Sequence, residues 1–128
     1  MSTIHQEVTF AAPAGKVYRA LVQSEEFAKL TGAPAEGSTT EGAAFSGFGG
    51  HITGRHVELV PDTRIVQAWR AKTWPEGTYS IARFELRAEG AKTRLVFDHI
   101  GFPEDMIEHL KTGWTQNYWE PIRKYVEG

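Results

Sequence analysis

At 128 residues the chain has room for one domain with a buried core, and a single domain over residues 1–128 is the expected organisation. Its 14 Lys and Arg against 16 Asp and Glu leave a formal charge of −2 with no basic block, which argues against a nucleic-acid partner. Cysteine is absent, excluding disulfides and thiolate chemistry, and neither a signal peptide nor an apolar run of roughly 18 residues is present, so a cytoplasmic chain without membrane insertion is expected.

Residues 3–10 alternate, with Ile4, Val8 and Phe10 on one side and His5, Glu7 and Thr9 on the other, as in a half-buried strand. Pro13 then opens a short helix with Val17, Ala20 and Leu21 as its apolar stripe. Ser24 reads as the N-cap of a second short helix, followed by Glu25 and Glu26 where the helix dipole favours acids. From Ala33 to Gly50 the composition turns to Gly, Ser, Thr and Ala, which suits short curved strands anchored by Phe45 and Phe48. Four strand-like segments joined by short turns follow, HITGRHVELV, RIVQAWRA, YSIARFELR and TRLVFDHI, which is the pattern of an antiparallel meander.

The last stretch, residues 104–128, places Ile107, Leu110, Trp114, Tyr118, Ile122 and Tyr125 on one helical face, with Asp105 and Glu108 as an expected capping box. Pro121 falls inside this helix and removes a backbone donor, so a bend near 117–121 is expected, or else a helix end at Trp119 and a new start at Pro121. Trp119 lies on the shoulder of the stripe, either in the core or at a partner surface. This order implies an α+β fold: a curved antiparallel sheet of six to seven strands wrapped around a long C-terminal helix, with two short helices after the first strand.

The run from Gly49 to Arg70, then WPEGTYS, TRLVFDHIGFPE and GWTQNYWEPI, in that order over essentially the whole chain, resemble one family. It is the group similar to the C-terminal domain of the activator of the 90-kilodalton heat-shock chaperone ATPase, within the START-like, birch-pollen-allergen-like superfamily of helix-grip folds. The resemblance implies a helix-grip fold, a heat-shock chaperone as a partner, and an apolar cavity between helix and sheet. Eukaryotic activators of this type carry a separate N-terminal domain, whereas this sequence begins at the START-like part, which favours the cavity reading over chaperone activation.

Alternation assigns Ser80, Ala82, Phe84 and Leu86 to the concave face of their strand, and likewise Leu95, Phe97 and His99, and Ile65, Gln67 and Trp69. A wall of Trp69, Phe84 and Phe97, with small residues at Ser80 and Ala82 and polar atoms at Gln67 and His99, has the composition of a ligand pocket. Leu110, Trp114 and Tyr118 on the helix close it, and the expected entrance is at Phe45, Phe48 and Trp74. Simple core packing of these aromatics is the alternative. Among five histidines only His99 is placed inside, no metal-ligand spacing occurs, and FSGFGG lacks the context of a phosphate loop, so no metal, cofactor or catalytic set is assigned. The functional expectation is non-enzymatic binding of a small hydrophobic ligand by a monomer or weak homodimer. Chaperone binding is the alternative, and a cyclase- or hydrolase-like use of His99 or Tyr118 is weaker still.

Overall fold

A computed structural model describes residues 2–128. One seven-stranded antiparallel sheet runs in the order β1-β7-β6-β5-β4-β3-β2. Its strands are β1 (Thr3–Phe10), β2 (Glu36–Gly37), β3 (Ala44–Gly47), β4 (Ile52–Val60), β5 (Arg64–Ala71), β6 (Ser80–Glu89) and β7 (Lys92–Ile100). Strands β2 to β7 pair in sequence order, as short turns require. β1 returns to the far edge, paired with β7 from Thr3↔Ile100 to Phe10↔Thr93, because α1 (Ala14–Val22) and α2 (Ser24–Thr31) carry the chain across between β1 and β2. The architecture is α+β and helix-grip: the concave face carries Ile4, Ile65, Ala82, Phe84, Leu95 and Phe97, all fully buried, beneath the terminal helix.

The face assignments of β5, β6 and β7 follow the alternation of the sequence, because this sheet is covered on one side and wet on the other. On β4 the buried Ile52, Gly54 and His56 alternate with more exposed positions, Val57 among them at 54% exposed, and a bulge between His56 and Glu58 shifts the register of the residues that follow. His99 is therefore not the only inward histidine. Gly54 faces Trp69 across this pair, and a Cβ there would fall 1.9 Å from the carbonyl oxygen of Ala68. No larger residue fits without moving the backbone.

Two expected caps are not formed. Gln23 ends α1 through its N–H to Arg19 O and starts α2 by accepting from Phe27 N–H, so Ser24 already lies inside the helix and no side chain caps it. Asp105 sits in a 3-10 turn (Glu104–Met106) that starts after Pro103, again without a side-chain cap. The neighbouring Glu104 accepts a hydrogen bond from the Ser2 N–H at 2.7 Å.

The terminal helix runs through α3 (Ile107–Trp114), a π-helical turn (Thr115–Trp119) and α4 (Glu120–Glu127), with helical backbone angles at both junctions. The Glu120 N–H bonds back five residues to Thr115 O, so the chain accommodates Pro121 with a widened turn immediately before it instead of starting a second helix. The five-residue step carries the apolar stripe from Trp114 to Trp119, and Ile122 and Val126 continue it. Trp119 is consequently core. Its indole N–H donates to Gln6 Oε1 at 2.7 Å, and Gln6 Nε2 donates to Lys111 O, which ties β1 to the helix.

Candidate functional site

The seal between helix and sheet is built on Trp114, which stacks within 4.1 Å of Tyr118 and 4.3 Å of Phe97 (ring centroids) and lies 5.3 Å from Trp69. Its indole N–H donates to His99 Nδ1 at 3.1 Å. That bond makes Nδ1 an acceptor and places the imidazole proton on Nε2, which donates to Ser80 Oγ at 2.6 Å. The Ser80 hydroxyl in turn donates to Trp69 O at 3.0 Å. Every donor in this chain has an acceptor, and burial pushes the His99 pKa down to about 3. A serine nucleophile needs a histidine that accepts its proton. Here the histidine donates, and both side chains are fully buried. Both ring nitrogens of His99 are thus engaged inside the core, with Trp114 and Ser80.

Two separate spaces flank the seal. The outer one is a cavity of about 420 Å³, open to solvent, between α3 and the ends of β4 and β5. Its walls are Ile52, Trp69, Trp74, Leu110, Trp114 and Tyr118, and Phe48, His51, His109 and Asn117 stand around its mouth. The inner one, about 30 Å³, has room for about one water and lies toward α2 and β3, beside Phe27, Phe45, His56, Gln67 and Phe84. Tyr118 and Ile52 line both spaces and divide them. Phe48 props this partition with its ring 5.5 Å from those of Phe27 and Tyr118, and its φ of 52° is unusual for a non-glycine residue.

The candidate ligand residues drawn from the sequence therefore fall into three groups. Phe48, Trp69, Trp74, Leu110, Trp114 and Tyr118 line the outer cavity, and Phe45, Gln67 and Phe84 line the inner space. Ser80, Ala82, Phe97 and His99 line neither, because Trp114 fills the room that the small residues leave. The polar atoms expected in the wall of one pocket, those of Gln67 and His99, are thus absent from the larger one. Sequence reasoning missed His51, Ile52, His109, Gly113 and Asn117. The last three recur at steps of four, a second stripe beside the apolar one whose signal was weak because its members are polar or lack a side chain.

Two donors on residues that line the outer cavity lack acceptors. The Trp74 indole N–H is buried without a hydrogen-bond partner. The Tyr118 hydroxyl accepts from Trp69 Nε1 at 3.3 Å, and its own proton finds no acceptor among the described residues. Burial raises the Tyr118 pKa, so the hydroxyl keeps that proton. No Asp, Glu, Lys or Arg lines this cavity. Among the described residues, no cluster of three or more His, Cys, Asp or Glu could hold a metal ion, and no helix is long and apolar enough to cross a membrane.

The convex face is different in kind. Its charges pair across strands, His5 with Asp98 and Arg64 with Glu58, and along them, His5 with Glu7 and Arg83 and Arg87 with Glu85. At one end Ile81 and Ile100 oppose each other across β6 and β7, 40% and 41% exposed, next to Tyr79, over whose ring the Arg70 guanidinium lies at 5.8 Å.

The family model described as Activator of Hsp90 ATPase homolog 1-like protein matches residues 11–127. The Activator of 90 kDa heat shock protein ATPase homolog 1 of Homo sapiens is 30% identical over 116 residues, 91% of this chain and 34% of that protein. Homolog 2 of Mus musculus is 28% identical over 124 residues, 97% of this chain and 38% of that protein, so the chain spans about a third of the length of these curated relatives. Among solved structures, an HSP90 activator from Plasmodium falciparum superposes with a TM-score of 0.90 at 26% identity, covering 95% of this chain and 94% of that one. The Aha1 dimer from Colwellia psychrerythraea, at 19% identity and a TM-score of 0.81 over 99% of this chain and 97% of that one, shares the fold.

Proposed function

The chain belongs to the family of Activator of Hsp90 ATPase homolog 1-like proteins, and from that premise we propose that it binds a 90-kDa heat-shock chaperone and modulates its ATPase. The observation that carries the reading is the near end-to-end match with the solved chain of the Plasmodium falciparum HSP90 activator, which has the same architecture. The curated activators are about three times as long, so the reading leans on that match more than on theirs. A surface suited to the contact is the convex patch of Tyr79, Ile81 and Ile100, which exposes apolar area at the end of an otherwise charge-paired sheet. The test is a chaperone ATPase assay with the host's own 90-kDa chaperone, paired with a binding titration. The wild-type chain is expected to change the turnover rate, and an Ile81→Asp, Ile100→Asp variant to lose most of that effect while keeping its melting temperature. No binding at tens of micromolar and no change in turnover refute the reading.

A second reading is supported by the outer cavity: the chain holds a small apolar molecule between helix and sheet. A volume of about 420 Å³ lies within the roughly 300–1,000 Å³ range of ligand sites, and its walls are mostly apolar with a few polar groups at the mouth. Thermal-shift and tryptophan-fluorescence titration with fatty acids, sterols and aromatic compounds tests it, and silence across the panel sinks it.

A further inference from the structure

We propose that Gly113 sets the size of the molecule that the outer cavity accepts, resting on the second reading above: the side chain it lacks leaves the space in which a flat, uncharged body lies against the helix. Nothing in the backbone calls for glycine at this position. Of the thirteen glycines, eight have positive φ, which other residues adopt only with strain. At Gly15, Gly47, Gly54 and Gly128 an added Cβ would come within 3.2, 2.9, 1.9 and 2.6 Å of another atom. Gly113 has neither reason. Apart from its chain neighbours and the backbone of its own helix, its Cβ would meet only Asn117 Nδ2, at an ordinary 3.7 Å.

The position is also a poor one for glycine. The helix continues from α3 through the π-turn into α4 with helical angles at both junctions, so Gly113 lies in its interior. There glycine is less favourable than alanine, because it loses more conformational freedom on folding. The π-turn does not require it, since no residue from Ile107 to Glu127 has a positive φ. What glycine supplies is room. His109, Leu110, Trp114 and Asn117, its neighbours on the helix surface, all line the outer cavity with it. Helical side chains lean toward the N-terminus, so a larger residue at 113 would project over His109 and Leu110 into that space. The sheet side of the cavity presents Trp69 and Trp74, and no Asp, Glu, Lys or Arg is among the lining residues. Such walls suit a flat body without charge, and the clearance at Gly113 decides how wide it can be.

The experiment titrates ethylbenzene and 2-ethylnaphthalene into the wild type, Gly113→Ala and Gly113→Leu by calorimetry, and melts each chain without ligand. Alone, Gly113→Ala is expected to melt about 4 °C above the wild type. The wild type is expected to bind both compounds. Affinity for 2-ethylnaphthalene is expected to fall about threefold in Gly113→Ala and about tenfold or more in Gly113→Leu, and affinity for the single-ring compound to fall about twofold or less in Gly113→Ala. A merely structural role for Gly113 would lower the melting temperature and weaken both compounds alike. If the leucine variant does not fold, the alanine variant carries the comparison. A lower melting temperature in Gly113→Ala, or the same change in affinity for both compounds, overturns the inference and leaves the ligand reading intact. No binding of either compound to the wild type up to its solubility limit removes both.

Discussion

His99 makes this fold sensitive to mild acid in a window that can be calculated. Its folded pKa is pushed down to about 3 by burial, against an ordinary value of 6.5, so below pH 6.5 the unfolded chain takes up a proton that the folded chain refuses. Stability from this source is complete above pH 6.5 and is lost as pH falls toward 3, at about 1.4 kcal/mol per pH unit. Between pH 7 and pH 5 that comes to about 2 kcal/mol. The shifted carboxylates act outside this interval. His5 is raised by its hydrogen bonds to Asp98 and Glu7, so its contribution is already complete below pH 6.5. Glu7, Glu58 and Glu104 are lowered from 4.5 by hydrogen bonds to His5, Arg64 and Ser2, and their contributions fade only below that value. His56, lowered by burial, adds to the His99 effect with the same sign. Urea unfolding followed by tryptophan fluorescence at pH 7, 6 and 5 measures the slope. His99→Gln keeps a donor and an acceptor for Ser80 and Trp114 without a titrating ring, and is expected to lose most of it. Equal stability of the wild type at pH 7 and 5, or an unchanged slope in His99→Gln, refutes the reasoning.

The remaining predictions concern packing. Ser80→Ala orphans the His99 Nε2–H and one acceptor site on Trp69 O, and is expected to cost about 2 kcal/mol in the midpoint-derived stability at pH 7; a loss under 0.5 kcal/mol contradicts the assigned direction of that chain. Gly54→Ala forces a Cβ against the Ala68 carbonyl and is expected to cost about 3 kcal/mol or to abolish soluble expression, while Gly42→Ala, with open space around its Cβ, is strained only by its φ of 84° and loses less. Phe97→Ala, fully buried against Trp114, Trp119 and Phe84, is expected to lose about 3–5 kcal/mol by urea unfolding.

Much of the fold was legible in the sequence because one face of the sheet is dry. Along β5, β6 and β7 that contrast prints directly as alternation, and Trp69, Phe84 and Phe97 were placed on the right face by counting in twos. His56 was not, because its polar identity hides an inward position that the step from Ile52 and Gly54 assigns to it. The caps at Ser24 and Asp105 failed for a local reason: backbone groups of Gln23 and Pro103 already begin those turns. The division of the candidate site residues between two spaces was beyond reach. It depends on where the rings of Tyr118 and Phe48 come to rest, which no spacing in the sequence encodes.

The π-turn also sets the rotational phase of everything after it. Five residues there occupy about one turn where 3.6 would suffice, so the last eight residues are turned well away from where an uninterrupted α-helix would leave them. Trp119 and Val126, off the uninterrupted α-helical stripe, point into the sheet because of that offset, and in that phase Arg123 reaches Thr9 O at 2.8 Å and the Ala11 N–H reaches Glu127 at 2.8 Å. The widened turn therefore acts as a frame marker in the chain. Tightening these five residues to regular α-helix would turn the following tail by about 100° and withdraw core side chains and tethers together, whereas deleting one of them leaves the tail in phase.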